Sequence, residues 1–502
     1  MRVKLAFYSI FNPVTIEQIV IISAKSCLNL KYDAVIVGSG PNGLSAAIVL
    51  AQKGLAVKIL EAKDTIGGGT RTQELTLPGF KHDVCSAIHP MAVCSPFFQT
   101  LPLEEHGLTW IYPEYPLAHP LDDEPAVILH QSLEKTADHL FADRSAYKRL
   151  FEPIVNNFSE LAPQLLAPFS LFPSTPIQMA RFGWNAIKSA RSLAFSRFDS
   201  ERTRALFGGI AAHSVLRLEE SISAAVGLML GAAGHHKGWP LPKGGSHQIT
   251  KALASYFRSL GGEIETGVEV TTMDQLDSAK TVLFDLTPKQ VLQIAGASMP
   301  SGYTDKLKKY RYGAGVFKLD FALNGPVPWN DPECGKAGTV HLGGTFDEIA
   351  ASEQAMASGQ HADKPYVLVA QQSLFDDTRA PEGKHTAWAY CHVPQGSTKD
   401  MSEVIIKQIE RFAPDFRDLI LDQHAMNSRD MQGYNANYIG GDINGGRQDV
   451  KQLFTRPAGL RDPYHIPETS CYFCSSSTPP GGGVHGMCGY HAAMSALKRE
   501  FK

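Results

Sequence analysis

The chain lacks the features that mark several large classes of protein. Its 502 residues contain no run of 18 consecutive apolar side chains, so the sequence predicts no membrane-spanning helix. Neither sign of charge dominates, since 47 basic and 50 acidic residues give a net charge of −3. That balance excludes a nucleic-acid binder that works through bulk positive charge.

Zinc-type cysteine pairs and HExxH-type histidine spacing are also missing, so we predict no metal site. Eight cysteines in so long a chain are typical of reduced thiols in the cytoplasm rather than of a disulfide scaffold. The 43% of hydrophobic residues against 19% charged is enough for a large core, which excludes intrinsic disorder. At roughly 100 to 200 residues per domain, we expect two to four domains.

The first 31 residues do not form a convincing signal peptide. Arg2 and Lys4 precede two short apolar segments, but Pro13 and Glu17 interrupt them and no small-residue cleavage site follows. We expect residues 1–31 to be a poorly ordered extension, or the product of a start codon assigned too early. A weak export or anchoring signal is the alternative.

A β-turn-α-β unit begins directly after this extension. An apolar, β-branched strand is predicted over 33–37, an Ala- and Leu-rich helix over 44–53 that ends at Gly54, and a second strand over 56–60. Such a unit of about 30 residues is typical of parallel α/β sheets that bind nucleotides.

The turn of this unit carries a glycine motif, Gly38-x-Gly40-x-x-Gly43, with Pro41 and Asn42 between its last two glycines. The first glycine permits a tight strand-to-helix turn, the second lets a diphosphate approach the backbone, and the third lets the helix pack on the strand. The positive end of the helix dipole then attracts the diphosphate. The motif predicts a dinucleotide site.

Two features after the second strand refine this prediction. Glu61 ends that strand, in the position after the glycine motif where a carboxylate accepts hydrogen bonds from an adenosine ribose. The glycine motif serves both NAD and FAD. The loop Gly67-Gly68-Gly69-Thr70-Arg71 that follows exposes backbone able to wrap a larger, permanently held cofactor, which favours FAD.

Two later regions have the same character. Ser246 is placed to cap a helix that ends at Gly261-Gly262, and strands are predicted over 263–270 and 281–285. Near the C-terminus a strand over 471–474 leads through a Pro- and Gly-rich run into an Ala-rich helix over 488–497. We therefore predict an α/β protein with a Rossmann-type nucleotide-binding domain and a discontinuous α+β substrate domain. The nucleotide-binding domain comprises residues 32–115, 226–309 and 431–502, and the substrate domain comprises residues 116–225 and 310–430.

Three sequence blocks, Val35 to Thr72, Pro242 to Val270 and Tyr472 to Ala493, resemble one known group. This is the phytoene desaturase-like branch of the FAD-dependent amine oxidase superfamily, which includes carotenoid desaturases, desaturase-type carotenoid ketolases and retinol saturases. The blocks cover about half of the chain. A departure is Gly69, which stands where many amine oxidases have an arginine, whereas here Arg71 follows two positions later.

The resemblance implies FAD as the cofactor and assigns its contacts. It places the diphosphate on the Gly38 to Gly43 loop, the ribose on Glu61 and the adenine against the backbone of Val270. The remaining implied cofactor contacts are Pro41, Asn42, Gly67, Gly68, Thr70, Arg71, Gly482, Gly483 and Val484. The last three are implied to face the isoalloxazine ring, where backbone N–H groups stabilise the negative charge of the reduced ring.

Two histidines are weak candidates for catalysis. His89 follows the loop after Asp83, and His485 lies within the C-terminal glycine motif. Either can serve as acid, base or polar anchor, and a structural role is the alternative. Cys471 and Cys474 invite a redox-disulfide interpretation, but three positions apart on a strand they point to opposite faces and cannot meet.

Residues 161–198 contain no Asp or Glu. Their basic residues alternate with aromatic ones: Arg181, Lys188, Arg191 and Arg197 with Phe169, Phe172, Phe182, Trp184, Phe195 and Phe198. Such a stretch suits a peripheral contact with a membrane surface. The alternative is a helical substrate domain whose aromatic side chains pack inward.

The leading hypothesis is an FAD-dependent oxidoreductase in which flavin N5 exchanges a hydride with a substrate carbon. The resemblance implies an apolar, isoprenoid or carotenoid-like substrate, and it leaves desaturation, saturation, isomerisation and oxidation open. A flavin amine oxidase is one alternative. A non-catalytic lipid or prenyl carrier is another, since Rab escort-type proteins resemble this fold. We expect no nucleic-acid partner, and a cytoplasmic location with membrane contact through 161–198.

Overall fold

The computed structural model describes residues 30–502, so the predicted extension over 1–31 lies almost entirely outside the described residues. Within that range the strands form two large sheets and two short ribbons. In chain order the strands are β1 Tyr32–Val37, β2 Val57–Glu61, β3 Thr72–Glu74, β4 Lys81–Asp83, β5 Trp110–Ile111, β6 Tyr115–His119, β7 Val127–Leu129, β8 Leu241–Pro242, β9 Glu263–Thr266, β10 Ala279–Phe284, β11 Gly315–Leu323, β12 Ala337–Leu342, β13 Val367–Ala370, β14 His385–Val393, β15 Ile420–Met426 and β16 Cys471–Phe473.

Helices connect and cover the sheets. In chain order the helices are α1 Pro41–Ala51, α2 Pro90–Val93, α3 Leu133–His139, α4 Arg144–Val155, α5 Phe158–Leu165, α6 Pro176–Ala186, α7 Ala190–Arg197, α8 Glu201–Ala212, α9 Ser223–Lys237, α10 His247–Ser259, α11 Pro288–Ala295, α12 Ser301–Lys308, α13 Phe346–Ala357, α14 Ser402–Glu410, α15 Ser428–Tyr434, α16 Val450–Leu453 and α17 Met487–Glu500. Of these described helices, none is both long and apolar enough to cross a bilayer.

The first sheet has five parallel strands in the order β16-β10-β1-β2-β9. Successive side chains of a strand point to opposite faces, and both faces of this sheet are covered. Ala34 and Ile36 of β1 pack with the residues of α1, while Val35 and Val37 pack with Val291 of α11 and its neighbours. The expected Rossmann-type α/β architecture is therefore present.

The second sheet has seven strands in the order β15-β11-β14-β13-β12-β6-β7, and only the β12–β6 pair is parallel. One face, which includes Phe317 and Phe321 of β11, packs on Ile405 and Ile409 of α14. The other face turns Lys318 and Asp320 toward the interior of the protein, where both are buried.

Several predicted elements differ in detail. The strand predicted over 263–270 stops at Thr266, because Gly267 has a φ of +74° and turns the chain. Besides their helices, residues 116–225 supply most of β6 and all of β7. The domain boundary predicted after residue 115 falls inside β6, and the division into domains stays a prediction.

Ser246 precedes α10 as predicted, but its side chain does not cap the helix. Its hydroxyl donates instead to the carbonyl oxygen of Ser86.

Many histidines are buried and neutral. Burial lowers the pKa of His89, His119, His235 and His485 to about 4. Because the unfolded chain takes up protons near pH 6.5 and the folded chain does not, each such histidine stabilises the fold fully above pH 6.5. This stabilisation is lost as the pH falls toward 4.

His235 tests this linkage. Its Nε2 accepts from the Tyr147 hydroxyl at 2.8 Å and its Nδ1 donates to the carbonyl oxygen of Gln131 at 3.2 Å. His235→Gln should destabilise the fold at pH 7.5, yet reduce the loss between pH 6.5 and 4.5 by up to about 1.4 kcal/mol per pH unit. Urea unfolding across this pH range measures both effects. An unchanged pH dependence in the variant would contradict a buried neutral His235.

Candidate active site

A cavity of about 320 Å³ lies where the carboxyl ends of β1 and β10 meet the seven-stranded sheet. Glycine loops form one part of its wall, and apolar and aromatic side chains form the rest. The predicted site residues in the wall are Gly40, Pro41, Asn42, Gly68, Thr70, His89, Gly482, Gly483 and Val484. The predicted residues outside it are Gly38, Gly43, Glu61, Gly67, Arg71, Val270 and His485.

The glycine loop leaves no room for side chains at two points. A Cβ atom on Gly43 would overlap the carbonyl oxygen of Gly38, so the third glycine allows α1 to begin directly on β1. A Cβ atom on Gly40 would lie 2.6 Å from Oδ2 of Asp285. The backbone at Gly40 is therefore bare where it faces the cavity.

Asp285 is a site residue that the sequence analysis missed. It follows β10 directly, lines the cavity, and accepts a hydrogen bond from the Gly43 N–H at 3.0 Å. Burial, together with the nearby charge of Glu61, raises the pKa of Asp285 to about 7. At neutral pH the carboxyl group is thus protonated in a large fraction of molecules and can donate to an anion. The sequence signal that could have identified Asp285 as a site residue is its position at the carboxyl end of a predicted parallel strand, where ligands bind in such sheets.

Glu61 is held by a network rather than lying free. Its Oε2 accepts from the Ser39 N–H at 3.0 Å and from the Ser39 hydroxyl at 2.6 Å, while its Oε1 accepts from the Lys63 N–H. Arg71 forms an ion pair with the same Oε1 at 3.1 Å. Both members of this ion pair are less than one-tenth exposed.

Arg71 also organises the loop that follows β2. Its Nε and Nη2 donate to the carbonyl oxygen of Thr65, and its Nη1 donates to that of Gly68. Tyr434 donates to the same Gly68 oxygen at 3.0 Å. The guanidinium therefore acts on the site through Glu61 and the loop backbone.

These residues fit a dinucleotide cofactor. The amino end of α1 points at the cavity, the Gly40 backbone is uncovered, and Oδ1 of Asn42 is buried with no partner among the described residues. The bare backbone at the amino end of a helix suits an anionic diphosphate, whereas Oδ1 of Asn42 is an enclosed acceptor and does not contribute to that fit. Glu61 lies outside the cavity wall, and its contact with a ribose stays a prediction.

The backbone of the C-terminal loop lines the cavity, but the side chain of the histidine in that loop does not. Gly482, Gly483 and Val484 line the cavity, whereas the ring of His485 turns into the core. Its Nδ1 accepts from the Met487 N–H at 3.0 Å at the start of α17. Gly486, with a φ of +68°, reverses the chain direction between them. The contact assigns His485 a helix-initiating role.

His89 lies in the cavity wall with a defined tautomer. The hydroxyl of Ser246 donates its proton to Ser86, so it must accept from Nε2–H of His89 at 2.8 Å. Nδ1 of His89 therefore carries a lone pair, because burial lowers the pKa of the ring to about 4 and keeps it neutral. Among the two predicted histidines, only His89 is placed to contact a bound molecule.

Val270 lies apart from the cavity. It is buried in the cluster that covers the outer face of the parallel sheet, beside Leu60. A role in contacting adenine stays a prediction.

A buried ionic layer beneath the cavity was also missed. Asp83 pairs with Arg379 at 2.8 Å, and Lys318 pairs with Asp320 on β11. The Lys318 ammonium lies 5.8 Å from the ring centre of Trp388, which lines the cavity. The partners are separated by up to 296 residues, so sequence spacing gave no signal for the Asp83–Arg379 pair.

Comparisons with known proteins agree with this architecture. Residues 36–98 match the model of an NAD(P)-binding Rossmann-like domain. The pyridine nucleotide-disulfide oxidoreductase domain-containing protein 2 of Rattus norvegicus is 24% identical, with 94% of each chain covered. A 4,4'-diapophytoene desaturase (4,4'-diapolycopene-forming) of Methylomonas is 23% identical, covering 72% of this chain and 74% of the relative.

Solved structures share the fold. An oxidoreductase from Methanosarcina mazei has a TM-score of 0.63 at 15% identity, covering 93% of this chain and all of the other. Wild-type putrescine oxidase bound to putrescine has a TM-score of 0.60 at 17% identity, covering 93% of this chain and 99% of the other. These two structures show that the chain shares their overall fold.

The ion pair of Arg71 with Glu61 gives a quantitative prediction. Arg71→Met leaves a buried carboxylate without its cation and should lower the free energy of unfolding by about 3 kcal/mol. The matched control is Arg417→Met, which removes a solvent-exposed ion pair with Glu403 and should cost far less stability. Urea unfolding of the two variants measures the difference. Equal losses would mean that the Glu61 pair does not anchor the loop.

Proposed function

We propose that this protein is an FAD-dependent oxidoreductase that acts on a carbon centre of an apolar, isoprenoid or carotenoid-like substrate. The observation that carries the proposal is the cavity itself, in which the glycine loops of a Rossmann-type sheet meet a largely apolar wall. That wall includes Met91, Val226, Met229, Leu230 and Leu368.

The residues that would hold FAD are those at the amino end of α1 and in the glycine loops beside the cavity. The amino end of α1 and Gly40 suit the diphosphate, Glu61 the ribose, and the Gly482 and Gly483 backbone the flavin ring. When bound, the flavin supplies a hydride acceptor or donor at N5. The matching domain model is described as NAD(P)-binding, but it covers only the glycine loop and its neighbours, which both cofactors share.

The chain's own side chains orient the substrate and handle protons. His89 lies in the wall of the cavity, and its Nδ1 carries a lone pair. We propose that this nitrogen accepts a proton that leaves the substrate. The apolar side chains around it exclude water, so a hydride is protected from bulk protons. The relative named as a diapophytoene desaturase supports a polyene-like substrate class.

An amine oxidase is the second candidate, favoured by the aromatic residues of the wall. Trp388 and Tyr390 pack edge to face with ring centres 4.9 Å apart, and Tyr438 and Trp239 complete an aromatic surface. Aromatic faces attract the cationic form of an amine. Release of hydrogen peroxide with benzylamine, but not with a lipid substrate, would favour this candidate. A non-catalytic carrier would show no flavin chemistry with either.

The cofactor is tested through Gly40. The purified protein should show flavin absorbance at about 450 nm, and it should release FAD rather than NAD(P) on heating. Gly40→Val adds branches where a single Cβ already approaches Asp285 to 2.6 Å, and should remove the bound flavin.

The control for this test is Gly335→Val, because an added Cβ there meets no atom within 4 Å. This variant should retain its flavin. Full flavin content in Gly40→Val, with a folded circular dichroism spectrum, would show that the diphosphate does not bind at this loop.

A membrane contact is proposed through the helices α6 and α7. The loop before α6 exposes Phe169, Leu171 and Phe172, and α6 with the residue after it exposes Ile177, Trp184 and Ile187; these six side chains are called the patch below. Phe172 is 91% exposed, whereas Phe182 and Phe198, two of the aromatic residues singled out in the sequence, are buried. Ile177, Arg181 and Trp184 share one face of α6, which places a cation beside the patch.

The charge of this surface is smaller than the sequence suggested. Arg191 pairs with Asp347 at 2.7 Å, so it is already compensated. Arg181, Lys188 and Arg197 remain, and near an anionic bilayer each contributes about 1 kcal/mol. Together with insertion of the apolar patch, this supports reversible binding to anionic lipid.

Sedimentation with vesicles of phosphatidylcholine and phosphatidylserine tests the contact. The wild-type protein should co-sediment at low salt, and Phe172→Ser with Trp184→Ser should reduce binding at least about tenfold. The control variant is Leu421→Ser, which changes an exposed apolar residue on β15 of the second sheet. This variant should bind the vesicles as the wild-type protein does. Wild-type protein that stays in the supernatant at low salt would contradict the membrane contact.

A further inference from the structure

The part of the cavity wall that the second sheet and its helices supply contains few polar groups. His213, which follows α8, and Thr339 of β12 are two of them. Both stand among apolar and aromatic neighbours such as Val215, Trp239 and Leu368. Polar groups in an otherwise apolar wall fix the orientation of a ligand.

Thr339 is buried with an unsatisfied hydroxyl. The residue is 3% exposed, and its Oγ1 has no hydrogen-bond partner among residues 30–502. A buried hydroxyl without a partner is rare in native proteins. The oxygen is closed to the cavity as the side chain stands, so a bound molecule pairs with it only after the side chain rotates.

One ring nitrogen of His213 makes a hydrogen bond within the protein, and the other is open to the cavity. Its Nε2 lies 3.0 Å from Nε2 of His341, so the two rings share one proton in that hydrogen bond. Burial, with His392 nearby, lowers the pKa of His213 to about 3, and burial keeps the pKa of His341 well below its usual value. Both rings are therefore neutral at physiological pH.

The buried surroundings of His341 select the tautomer. If His213 were the donor, the remaining proton of His341 would lie on Nδ1, which is buried without a partner among the described residues. A stranded N–H donor is costly and rare. His341 Nε2–H therefore donates to His213, and Nδ1 of His213 carries an N–H group that the cavity can receive.

The backbone next to His213 is strained. Val215 has a φ of +54°, in the left-handed region that β-branched residues avoid, and it lines the same wall. Such strain persists only where surrounding structure imposes it, and it clusters at ligand sites. The loop between α8 and α9 is thus held in a specific conformation beside His213.

We propose that His213 and Thr339 form a recognition site for one oxygen-bearing end group, a hydroxyl or carbonyl, of an otherwise apolar substrate. The inference rests on the proposed function and narrows its substrate class. Nδ1–H of His213 donates to the ligand oxygen, and the Thr339 hydroxyl pairs with the same group once its side chain has rotated toward the cavity. His341 is a positioning residue that fixes the tautomer of His213.

Two probes with the same 15-carbon isoprenoid skeleton test the proposal on the flavin-containing protein. Farnesol carries a terminal hydroxyl and farnesene does not. Binding is followed by quenching of tryptophan fluorescence, since Trp239 and Trp388 line the cavity. The wild-type protein should bind farnesol at least about tenfold more tightly than farnesene.

Variants test which residues cause the preference for farnesol over farnesene. His213→Phe should bring farnesol affinity to the level of farnesene and leave farnesene affinity unchanged, while His213→Gln should retain part of the preference. Thr339→Val, a smaller change, should reduce the preference several-fold even if His213→Phe fails to fold. The control is His236→Phe on α9, whose ring packs against Phe158 away from the cavity. It should behave as wild type.

The outcomes separate this inference from the proposed function. Equal wild-type binding of the two probes, or a preference that survives both His213→Phe and Thr339→Val, overturns the recognition site and leaves the isoprenoid substrate class in place. Failure of both probes to bind a flavin-containing protein overturns that substrate class and the inference with it. Loss of the preference in the two variants alone supports the recognition site.

Discussion

The carboxylate of Glu61 is the interaction on which the geometry of the site depends. It joins the glycine loop through Ser39, the end of β2 through the Lys63 N–H, and the loop over 65–71 through Arg71. A buried carboxylate with fewer partners would cost several kcal/mol, since desolvation exceeds what one neutral hydrogen bond returns. The network compensates the charge, and in doing so it fixes three backbone segments that border the cavity.

A second set of buried charges connects the β3–β4 ribbon with the second sheet. Asp83 receives hydrogen bonds from Arg379, from the Ser246 N–H and from the Thr72 hydroxyl, so one carboxylate joins β3, β4, α10 and the loop after β13. Replacing such a buried group with an apolar one is often neutral for stability, but removing a single partner is not. The layer therefore supplies geometric definition rather than net stability. It holds the floor of the cavity against the sheet that carries its apolar wall.

The sequence predicted the elements whose signals are local. The β1–α1–β2 unit, the helix after Ser246, and the C-terminal strand and helix follow from apolar periodicity and from the positions of glycines, within a few residues of the observed bounds. Roles that arise from tertiary contacts were not predictable. Asp285 depends on the approach of β10 to α1, and His213 depends on His341, which lies 128 residues later.

His485 shows the opposite case, a residue singled out because of its sequence neighbours. Gly482 to Val484 line the cavity, but the left-handed turn at Gly486 directs the histidine ring to the start of α17 instead. Spacing along the chain specifies which backbone reaches a site. It does not specify the direction of a side chain at a turn.

The strand order of the parallel sheet has a consequence for biosynthesis. β1 pairs with β10, which begins only at Ala279, and β10 pairs with β16, which begins later still, at Cys471. During translation the edge of β1 that receives β10 therefore stays unpaired until more than half of the chain has been made, and such an edge is prone to wrong partners. The loop over 482–484 leaves the ribosome after all of these strands. The site that this loop completes therefore forms only after the whole parallel sheet has been made.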